Sequence, residues 1–243
     1  MTDQIQRLFD AKAATWPQKY APGGPLTGRL ATIAQAVLPH VPPGGRVLDL
    51  GCGTGELACS LASAGLRATG CDISRPMLRG AAARDTGGRV GWVQLSSGWR
   101  RLPFAATAFD AVVASSVLEY AADPAAILRE CTRVLRPGGV VVCTVPDLRH
   151  PARWLEWLAR AIGRITPVRA MGRRWPRWDS YQAYLRASRQ RHPARWWLAA
   201  ARQAGLSPAR SPSWHSASRP ASRRCQALRL FVFYRPGQTV GPA

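Results

Sequence analysis

The stretch RVLDLGCGTGELACSLASAG, residues 46–65, decides the fold class. It begins as a short apolar run, passes through Gly51, Gly53 and Gly55, and continues with apolar residues at helical spacing as far as Gly65. A strand that enters a helix through a glycine-rich turn is typical of nucleotide sites, because the missing side chains let a ligand approach the backbone and the helix start offers N–H donors. We therefore expect a nucleotide-bearing ligand at this turn.

Strands and helices alternate on both sides of that stretch. Ser74 and Asp123 stand where helix N-caps are expected, each followed by a proline in the first turn. Continuous apolar runs separated by helices indicate a parallel sheet covered on both faces. The further predicted strands are RATGCD (67–72), RVGWVQL (89–95), FDAVVASSVL (109–118), VVVCTVP (140–146) and QALRLFVFYRP (226–236).

The charge is strongly basic and unevenly distributed. The 243 residues include 34 basic and 13 acidic residues, a net charge of +21, and Lys12 and Lys19 are the only lysines. Residues 1–149 carry 16 basic and 11 acidic residues, whereas residues 150–243 carry 18 basic and 2 acidic residues. Such a field favours an anionic partner: a phosphorylated substrate, nucleic acid or an anionic membrane surface. A solvated basic face, or a GC-rich genome, is the plainer alternative.

Cysteine usage and the first residues predict a cytoplasmic protein. The opening MTDQIQRLFD lacks the apolar segment of a secretory signal. No apolar run reaches the ~18 to 20 residues that cross a bilayer. Six cysteines without a CxxC pair are typical of free thiols in a reducing compartment, and they lack the spacing of a zinc site. We expect no metal.

The glycine turn extends to a longer motif. Asp49 precedes Gly51, Gly53 and Gly55 in the pattern D-x-G-x-G-x-G, and Glu56 stands where a dinucleotide motif has its third glycine. This pattern resembles motif I of the class I S-adenosylmethionine-dependent methyltransferases. The resemblance continues in segments that follow in the family's order and covers about residues 40–147. Those segments are Asp72 after the second strand, LPFAATAFDAVVASSVLEY (102–120), RVLRPGG (133–139) and VVVCTVP, with a looser echo in FDAKAATW (9–16).

The resemblance implies the architecture. We expect an α/β, Rossmann-like, seven-stranded, mostly parallel sheet with helices on both faces, an N-terminal helical cap and a helical insertion after the fifth strand. A single methyltransferase domain would span residues 1–243. Its parts would be N-terminal helices (1–39), a cofactor-binding core (40–147), a substrate or lid insertion (148–192), and the last helix with C-terminal strands (193–243).

The resemblance also implies a cofactor site for S-adenosylmethionine, with S-adenosylhomocysteine as the product. The three glycines would line the methionine end, and Asp49 would support the loop or the ammonium group. Asp72 would accept hydrogen bonds from the ribose hydroxyls. Ile73 and Leu102 would enclose the adenine, and Ser115 would lie near the sulfonium. The family's acid for the adenine amino group is missing between residues 90 and 108, so Ser97 or a backbone carbonyl would accept instead, with Trp99 adding stacking.

The resemblance does not specify the methyl acceptor or the residues that bind it. Bases for a hydroxyl acceptor would be His150 or Glu119, while His192 and His215 are further histidines and Tyr120, Trp154, Trp157 and Tyr181 would contact the substrate. The segment SSVLEY lacks the Pro-Pro-aromatic motif of amine methyltransferases, which favours a small-molecule acceptor. We expect O-methylation of a lipophilic (quinone, polyketide, lipid) or sugar-type metabolite, with an activated carbon as a less favoured acceptor. An RNA methyltransferase and a catalytically silent cofactor-binding protein are the alternatives.

The segment PARWLEWLARAIGRI, residues 151–165, places Trp154, Trp157 and Leu158 on one helical stripe. One interpretation is a lid helix that packs this stripe on the core. Another is a basic, Trp-bearing helix that lies on an anionic membrane or grips a lipophilic substrate. Nucleic-acid stacking by the aromatic residues that follow is the least favoured, and the oligomeric state stays open.

Overall fold

A seven-stranded sheet forms the centre of the molecule. The computed structural model describes residues 2–24, 26–162, 176–209 and 228–237. The strand order is β3-β2-β1-β4-β5-β7-β6, in which β7 runs antiparallel to both neighbours and the first five strands are parallel. The expected fold class is therefore confirmed. The strands are β1 Arg46–Leu50, β2 Arg67–Asp72, β3 Val90–Gln94, β4 Phe109–Ser115, β5 Leu135–Pro146, β6 Ser207–Pro208 and β7 Leu228–Tyr234.

Helices flank the sheet, and local capping explains where two of them begin. The Ser74 hydroxyl accepts from the Met77 N–H at 3.3 Å, and Asp123 accepts from the Ala126 N–H at 2.9 Å. Both caps satisfy amide groups that a helix start leaves unpaired. The described α-helices are α1 Thr2–Asp10, α2 Thr27–Val37, α3 Glu56–Ser63, α4 Arg75–Arg84, α5 Pro124–Val134, α6 Ala152–Ile162, α7 Pro176–Ala187 and α8 Ala194–Gln203.

The core has one apolar layer on each face of the sheet. Alternate residues of a strand point to opposite faces, so Val47 packs toward α2 and α3 while Leu48 packs toward α5 and α8. Trp197 of α8 is 2% exposed and is the largest side chain in the second layer. Both faces of the central strands are thus covered, as their continuous apolar sequence predicted.

Three local features add to the sequence expectation. Helix α1 is followed by a separate 3-10 helix, Ala13–Lys19, which contains Pro17. Strand β5 begins at Leu135, before the predicted strand VVVCTVP, and its pairing with β4 shifts register between Phe109 and Ala111. The two-residue strand β6 lies where the sequence carried no strand signal.

The parallel strands bring the predicted site residues to one edge. Asp49 and Gly51 lie at the carboxyl end of β1, Asp72 at that of β2 and Ser115 at that of β4. Ligands of open α/β sheets bind at this edge. Within the described residues, no helix is both long and apolar enough to cross a bilayer.

Candidate cofactor and acceptor cavity

A cavity of about 890 Å³ opens at the carboxyl ends of β1, β2 and β4. Its size is at the upper end of the range for small-molecule sites. The N-terminal segment covers one side of it, through Phe9 and Trp16, and α7 contributes Tyr184. Residues distant in sequence therefore form a single chamber with the glycine turn.

The glycine turn follows a backbone path that only glycine adopts without strain. Gly51, Gly53 and Gly55 have φ values of +70°, +55° and +81°. A Cβ atom on Gly51 would lie 2.4 Å from Cγ2 of Val117, and one on Gly53 would lie 3.2 Å from Nε1 of Trp16. Both Gly51 and Gly53 line the cavity, so the missing side chains leave room at its floor.

The amide groups of this turn are already used inside the protein. The N–H groups of Gly51 and Cys52 donate to the Cys71 carbonyl at 2.8 and 3.1 Å. The Gly53 N–H donates to Oδ2 of Asp72 at 2.9 Å, and the Gly55 N–H donates to the Cys52 carbonyl at 3.0 Å. The turn thus supplies space rather than a set of donors for a phosphate, which argues against a dinucleotide.

Asp49 gives this end of the cavity a negative group that awaits a partner. Its side chain is buried, and among the described residues no donor reaches Oδ2. Burial raises the pKa of Asp49 to about 7, and the charges of Asp72 and Glu56 add to the shift. A ligand cation beside this carboxyl would offset the cost of ionising it. An ammonium group fits, whereas a pyrophosphate would meet like charge.

Asp72 is held in place by the backbone around it. Its Oδ1 accepts from the Ser74 N–H at 2.8 Å, while Oδ2 binds the glycine turn as described. Burial raises the pKa of Asp72, against the lowering effect of these N–H donors. Each carboxylate oxygen can accept more than one hydrogen bond, so capacity remains for the paired hydroxyls of a ribose. Ile73 lines the cavity beside it.

Four cationic residues to which the sequence analysis assigned no role line the same cavity: Lys19, Arg29, Arg100 and Arg153. Arg29 of α2 donates from Nη2 to the Ser116 hydroxyl at 3.1 Å. Lys19 lies with Nζ 3.6 Å from the centroid of the Trp16 ring, and burial lowers its pKa to about 8, assisted by the charges of Lys12 and Arg29. Carboxylates and cations in one chamber suit a zwitterionic ligand, so the described residues fit the amino-acid end of S-adenosylmethionine.

A row of aromatic rings forms another wall of the cavity. Phe9 packs edge-to-face on Trp16 and on Tyr120, with ring centroids 5.6 and 5.2 Å apart. Tyr120 in turn meets Tyr184 at 6.0 Å. All four rings line the cavity. Rings in such a row offer an apolar surface with few hydroxyl groups, which suits a flat lipophilic acceptor.

Of the predicted site residues, seven line this cavity. Ser115 is among them, and no donor or acceptor from the described chain reaches its hydroxyl. Trp99, expected to stack, also lines the cavity. The seven are Asp49, Gly51, Gly53, Asp72, Ile73, Ser115 and Tyr120.

Three predicted cofactor residues lie outside the cavity wall. Gly55 is the N-cap residue of α3, where a Cβ would meet the Trp92 ring at 2.6 Å. The Ser97 hydroxyl donates to Asp3 of α1, although its neighbours Gly98 and Trp99 do line the cavity. Leu102 is buried in the core, where its N–H donates to Oε2 of Glu130 at 2.9 Å.

The two predicted bases also lie outside the wall. Glu119 is 1% exposed and sits directly behind Tyr120 in a 3-10 helix, Leu118–Tyr120. Burial raises the pKa of Glu119, partly opposed by the Tyr120 hydroxyl and by Arg29. His150 lies in the turn after β5, where its N–H donates to the Asp147 carbonyl at 3.2 Å.

The remaining candidates from the sequence are two histidines and three aromatic residues of the predicted insertion. His192 stacks on Trp196 with centroids 3.7 Å apart and contacts Oε1 of Gln190 at 2.8 Å, which is a structural role. His215 lies outside the described residues. Trp154, Trp157 and Tyr181 are exposed rather than part of the cavity wall, so the expectation that the Trp stripe packs on the core is wrong.

Sequence reasoning missed Phe9, Trp16 and Arg29, and placed Tyr184 only in a weaker alternative. The echo of the family in FDAKAATW contains Phe9 and Trp16 and was the one signal that could have identified them. No cluster of three or more His, Cys, Asp or Glu side chains is placed to hold a metal ion in the ranges that the structure covers.

Comparison with known proteins finds methyltransferases among the relatives of this chain. A family model described as "Methyltransferase domain" matches residues 48–143. The chain is similar to the ubiquinone/menaquinone biosynthesis C-methyltransferase UbiE of Desulfotalea psychrophila, with 40% identity over 154 residues, 61% of this chain and 60% of the relative. It is also similar to the ubiquinone biosynthesis O-methyltransferase of Xanthomonas axonopodis pv. citri, with 34% identity over 167 residues, 65% of this chain and 69% of the relative.

A solved structure supports the fold. The magnesium protoporphyrin IX methyltransferase of Synechocystis PCC 6803 with bound SAH superposes with a TM-score of 0.69 at 17% identity, covering 95% of this chain and 98% of that one. At this identity the likeness concerns the fold alone. The chain spans three fifths of the first relative's length and just over two thirds of the second's.

Proposed function

Because the chain belongs to the class I S-adenosylmethionine-dependent methyltransferases, we propose that it methylates a quinone-type, lipophilic small molecule. The observation that carries the proposal is the joint cavity, in which the acidic, glycine-lined end meets the row of Phe9, Trp16, Tyr120 and Tyr184. Two relatives whose names place them in quinone biosynthesis support the acceptor class.

S-adenosylmethionine, when bound, supplies a methyl group on a positively charged sulfur. The protein's part is to hold and orient: Asp72 would receive the ribose hydroxyls, and Asp49 would face the ammonium group. Trp16 lies against Gly53 and shields this end of the cavity from water. Positioning and exclusion of water account for much of the rate in a transfer of this kind.

A phenolic acceptor must also lose a proton. Tyr120 lines the cavity, and the neighbouring Glu119 is a buried carboxyl for which no donor stands at full hydrogen-bonding distance among the described residues. Burial raises the pKa of Glu119, and the approach of the Tyr120 hydroxyl partly offsets that rise. We assign to Glu119 the role of accepting the acceptor's proton through the Tyr120 hydroxyl. Burial also raises the pKa of Tyr120, so that this residue passes a proton on without ionising for long. Glu119 therefore acts through Tyr120 and does not touch the acceptor.

Oxygen is the proposed site of methylation. An oxygen that has lost its proton attacks the methyl group with its own electron pair, the carbon–sulfur bond breaks, and the product needs no further deprotonation. Attack by a ring carbon would require a second proton to leave that carbon afterwards. Tyr120 in the cavity wall, with Glu119 next to it in the chain, is the proton-accepting pair assigned above, and one such pair suffices for attack by oxygen.

The test uses methyl-tritiated S-adenosylmethionine with a hydroxylated quinol carrying an isoprenoid tail. We expect label in the organic phase, and cleavage with hydroiodic acid should release it as methyl iodide from an O-methyl product. Label that resists cleavage would replace oxygen by carbon as the acceptor atom. Label in added RNA would support an RNA methyltransferase, and bound cofactor without any label would indicate a silent protein.

A matched pair of variants ties the activity to the site. Asp72→Asn should weaken cofactor binding by about tenfold or more, because a neutral amide accepts ribose hydroxyls less strongly than a carboxylate does. Asp85 also accepts two backbone N–H groups, from Arg89 at 3.1 Å and Val90 at 2.9 Å, but it lies outside the cavity wall. Asp85→Asn should leave cofactor binding unchanged in titration calorimetry. Equal losses in both variants would contradict the assignment of Asp72.

We place this activity in the cytoplasm. The five cysteines in the described chain, Cys52, Cys59, Cys71, Cys131 and Cys143, are free thiols, as a reducing compartment maintains them.

A further inference from the structure

Helix α6 turns its apolar face outward. Trp154, Leu155 and Trp157 are 65%, 61% and 64% exposed, and Leu158 is 37% exposed. These four side chains lie within five consecutive residues of one helix and form a continuous surface, which we call the α6 apolar face. Large exposed apolar patches on a soluble fold mark sites of interaction.

The charged side of the same helix points into the protein, and this fixes the orientation. Glu156 receives Arg153 and Arg191, each at 2.7 Å, with all three side chains mostly buried. Arg160 donates to the Ser188 carbonyl at 2.8 Å, and Gln182 of α7 donates to the Ala159 carbonyl at 2.8 Å. Rotating α6 to bury its tryptophans would break this network and leave Glu156 without its cations.

Exposed positive charge lies next to α6 in the sequence and on the helix that packs against it. Arg149 precedes the helix, and Arg186 and Arg189 lie at the end of α7, which packs on α6; all three are exposed. Residues 150–243 carry 18 basic and 2 acidic residues. A second copy of this chain would bring the same charge to the contact and be repelled. An anionic surface with an apolar interior complements both features.

We propose that α6 is a membrane-interface helix that docks the protein on an anionic lipid bilayer. Trp154 and Trp157 would lie at the level of the headgroups, Leu155 and Leu158 would reach the acyl chains, and the exposed arginines would meet lipid phosphates. Arg153 of the same helix lines the cavity, so docking would bring the cavity wall to the lipid surface. The inference does not rest on the proposed methylation and can fail or hold by itself.

The test measures vesicle binding by the full chain. Vesicles of phosphatidylcholine with added phosphatidylglycerol should co-sediment the protein, and pure phosphatidylcholine should do so about tenfold less well, because the arginines contribute only on an anionic surface. Raising the salt concentration should weaken binding to the anionic vesicles. Equal binding to both vesicle types, or no binding to either, would overturn the proposal.

Two exposed leucines give a matched pair. Leu155→Glu puts a negative charge in the α6 apolar face and should reduce binding to anionic vesicles about tenfold or more. Leu38 is 38% exposed at the opposite edge of the sheet, just before β1, and Leu38→Glu should bind as the unaltered protein does. Because both side chains are exposed, both variants should keep the unaltered far-UV and near-UV circular dichroism.

A second variant and a second measurement distinguish lipid binding from binding of another partner at the α6 apolar face. Trp154→Ala with Trp157→Ala should also release the protein from anionic vesicles, without adding a charge. Loss of binding in Leu38→Glu as large as in Leu155→Glu would overturn the proposal. So would light scattering that shows a dimer in the unaltered protein and a monomer in Leu155→Glu, since the α6 apolar face would then bind a second copy.

Discussion

The glycine turn and helix α6 differ in which of their groups are left without a partner inside the protein. At the turn, the backbone amides are satisfied internally and Oδ2 of Asp49 is left without a donor among the described residues, so this region is complete only with a cationic ligand. At α6, the ionic groups are satisfied internally by Glu156, and the tryptophans are left outside. The turn lacks a cationic partner, and the outward face of α6 lacks an apolar partner. What each leaves unpaired indicates what it binds.

The most severe way to break the turn is to fill its space. Gly51→Ala places a Cβ 2.4 Å from Cγ2 of Val117, and both Gly51 and Val117 line the cavity, so the clash distorts its wall. We expect the affinity for S-adenosylhomocysteine to fall by about a hundredfold or more in titration calorimetry. Vesicle binding through α6 should not change.

Gly44→Ala is the control for backbone strain. Gly44 has the same φ of +70°, and its Cβ would meet nothing within 4 Å. This variant should lose about 1 kcal/mol of unfolding free energy and keep its cofactor affinity. Similar losses of affinity in both variants would mean that backbone strain, rather than the space above Gly51, controls the site.

The second prediction concerns the unpaired charge. A cationic ligand needs Asp49 ionised, and the carboxyl is protonated below its pKa of about 7. Binding of S-adenosylhomocysteine should therefore tighten as the pH rises to about 7, by up to about tenfold per pH unit, and then level off. In Asp49→Asn, this pH dependence should vanish. A dependence that persists in the variant would assign the titration to another group.

Without ligand, the free energy of unfolding should decrease as the pH rises. Asp49 ionises near its ordinary value of 3.8 in the unfolded chain and near 7 in the folded one. Between these values the folded protein holds an extra proton, so its free energy of unfolding falls as the pH rises. Denaturant titrations of the unaltered protein should show this fall relative to Asp49→Asn. A difference that is flat from pH 4 to 7 would contradict it.

The smallest expected effect tests the aromatic wall. Phe9→Ala removes the ring that joins Trp16 to Tyr120 and should lower kcat/KM for a quinol acceptor about fivefold, mainly through KM, because apolar contact area is lost. Cofactor affinity should stay within about twofold, since the rings on which Phe9 packs, Trp16 and Tyr120, belong to the aromatic wall.

Phe104→Ala is the matched control for that ring. Phe104 is also half-buried and packs edge-to-face, on Phe109 with centroids 5.1 Å apart, but it does not line the cavity. This variant should lose stability and keep the KM for the acceptor. An equal rise of KM in both variants would show that loss of the aromatic wall is not the cause of the rise.

The part of the structure that could be predicted is governed by local rules. Ser74 and Asp123 cap helices by accepting a hydrogen bond from the N–H group three residues later. The turn at Gly51 follows a backbone path that its glycines allow without strain. Such features depend on a few neighbouring residues, so the sequence displays them. The parallel arrangement of the central strands and the position of Asp72 at the end of a strand followed from the same reasoning and from the family resemblance.

What could not be predicted depends on residues far apart. Phe9 and Tyr120 meet across more than a hundred residues, and nothing local to either indicates the other. The period of α6 was visible, but which face points inward was decided by the pairing of Glu156 with Arg191. Burial of an ion pair outweighed burial of the Trp stripe there. Strand β6, with two residues, is too short to carry an alternating pattern.

The antiparallel strand β7 has a consequence for how the chain is made. It lies between β5 and β6, so the outer edge of β5 stays open until residues 228–234 have left the ribosome. At ordinary rates of synthesis this takes roughly 4 to 18 s after Pro146 has been added. During that interval the nascent chain presents a long valine-rich edge, the kind of surface to which other strands add. Chaperone occupancy on ribosomes translating this message should therefore be greatest between the completion of β5 and that of β7.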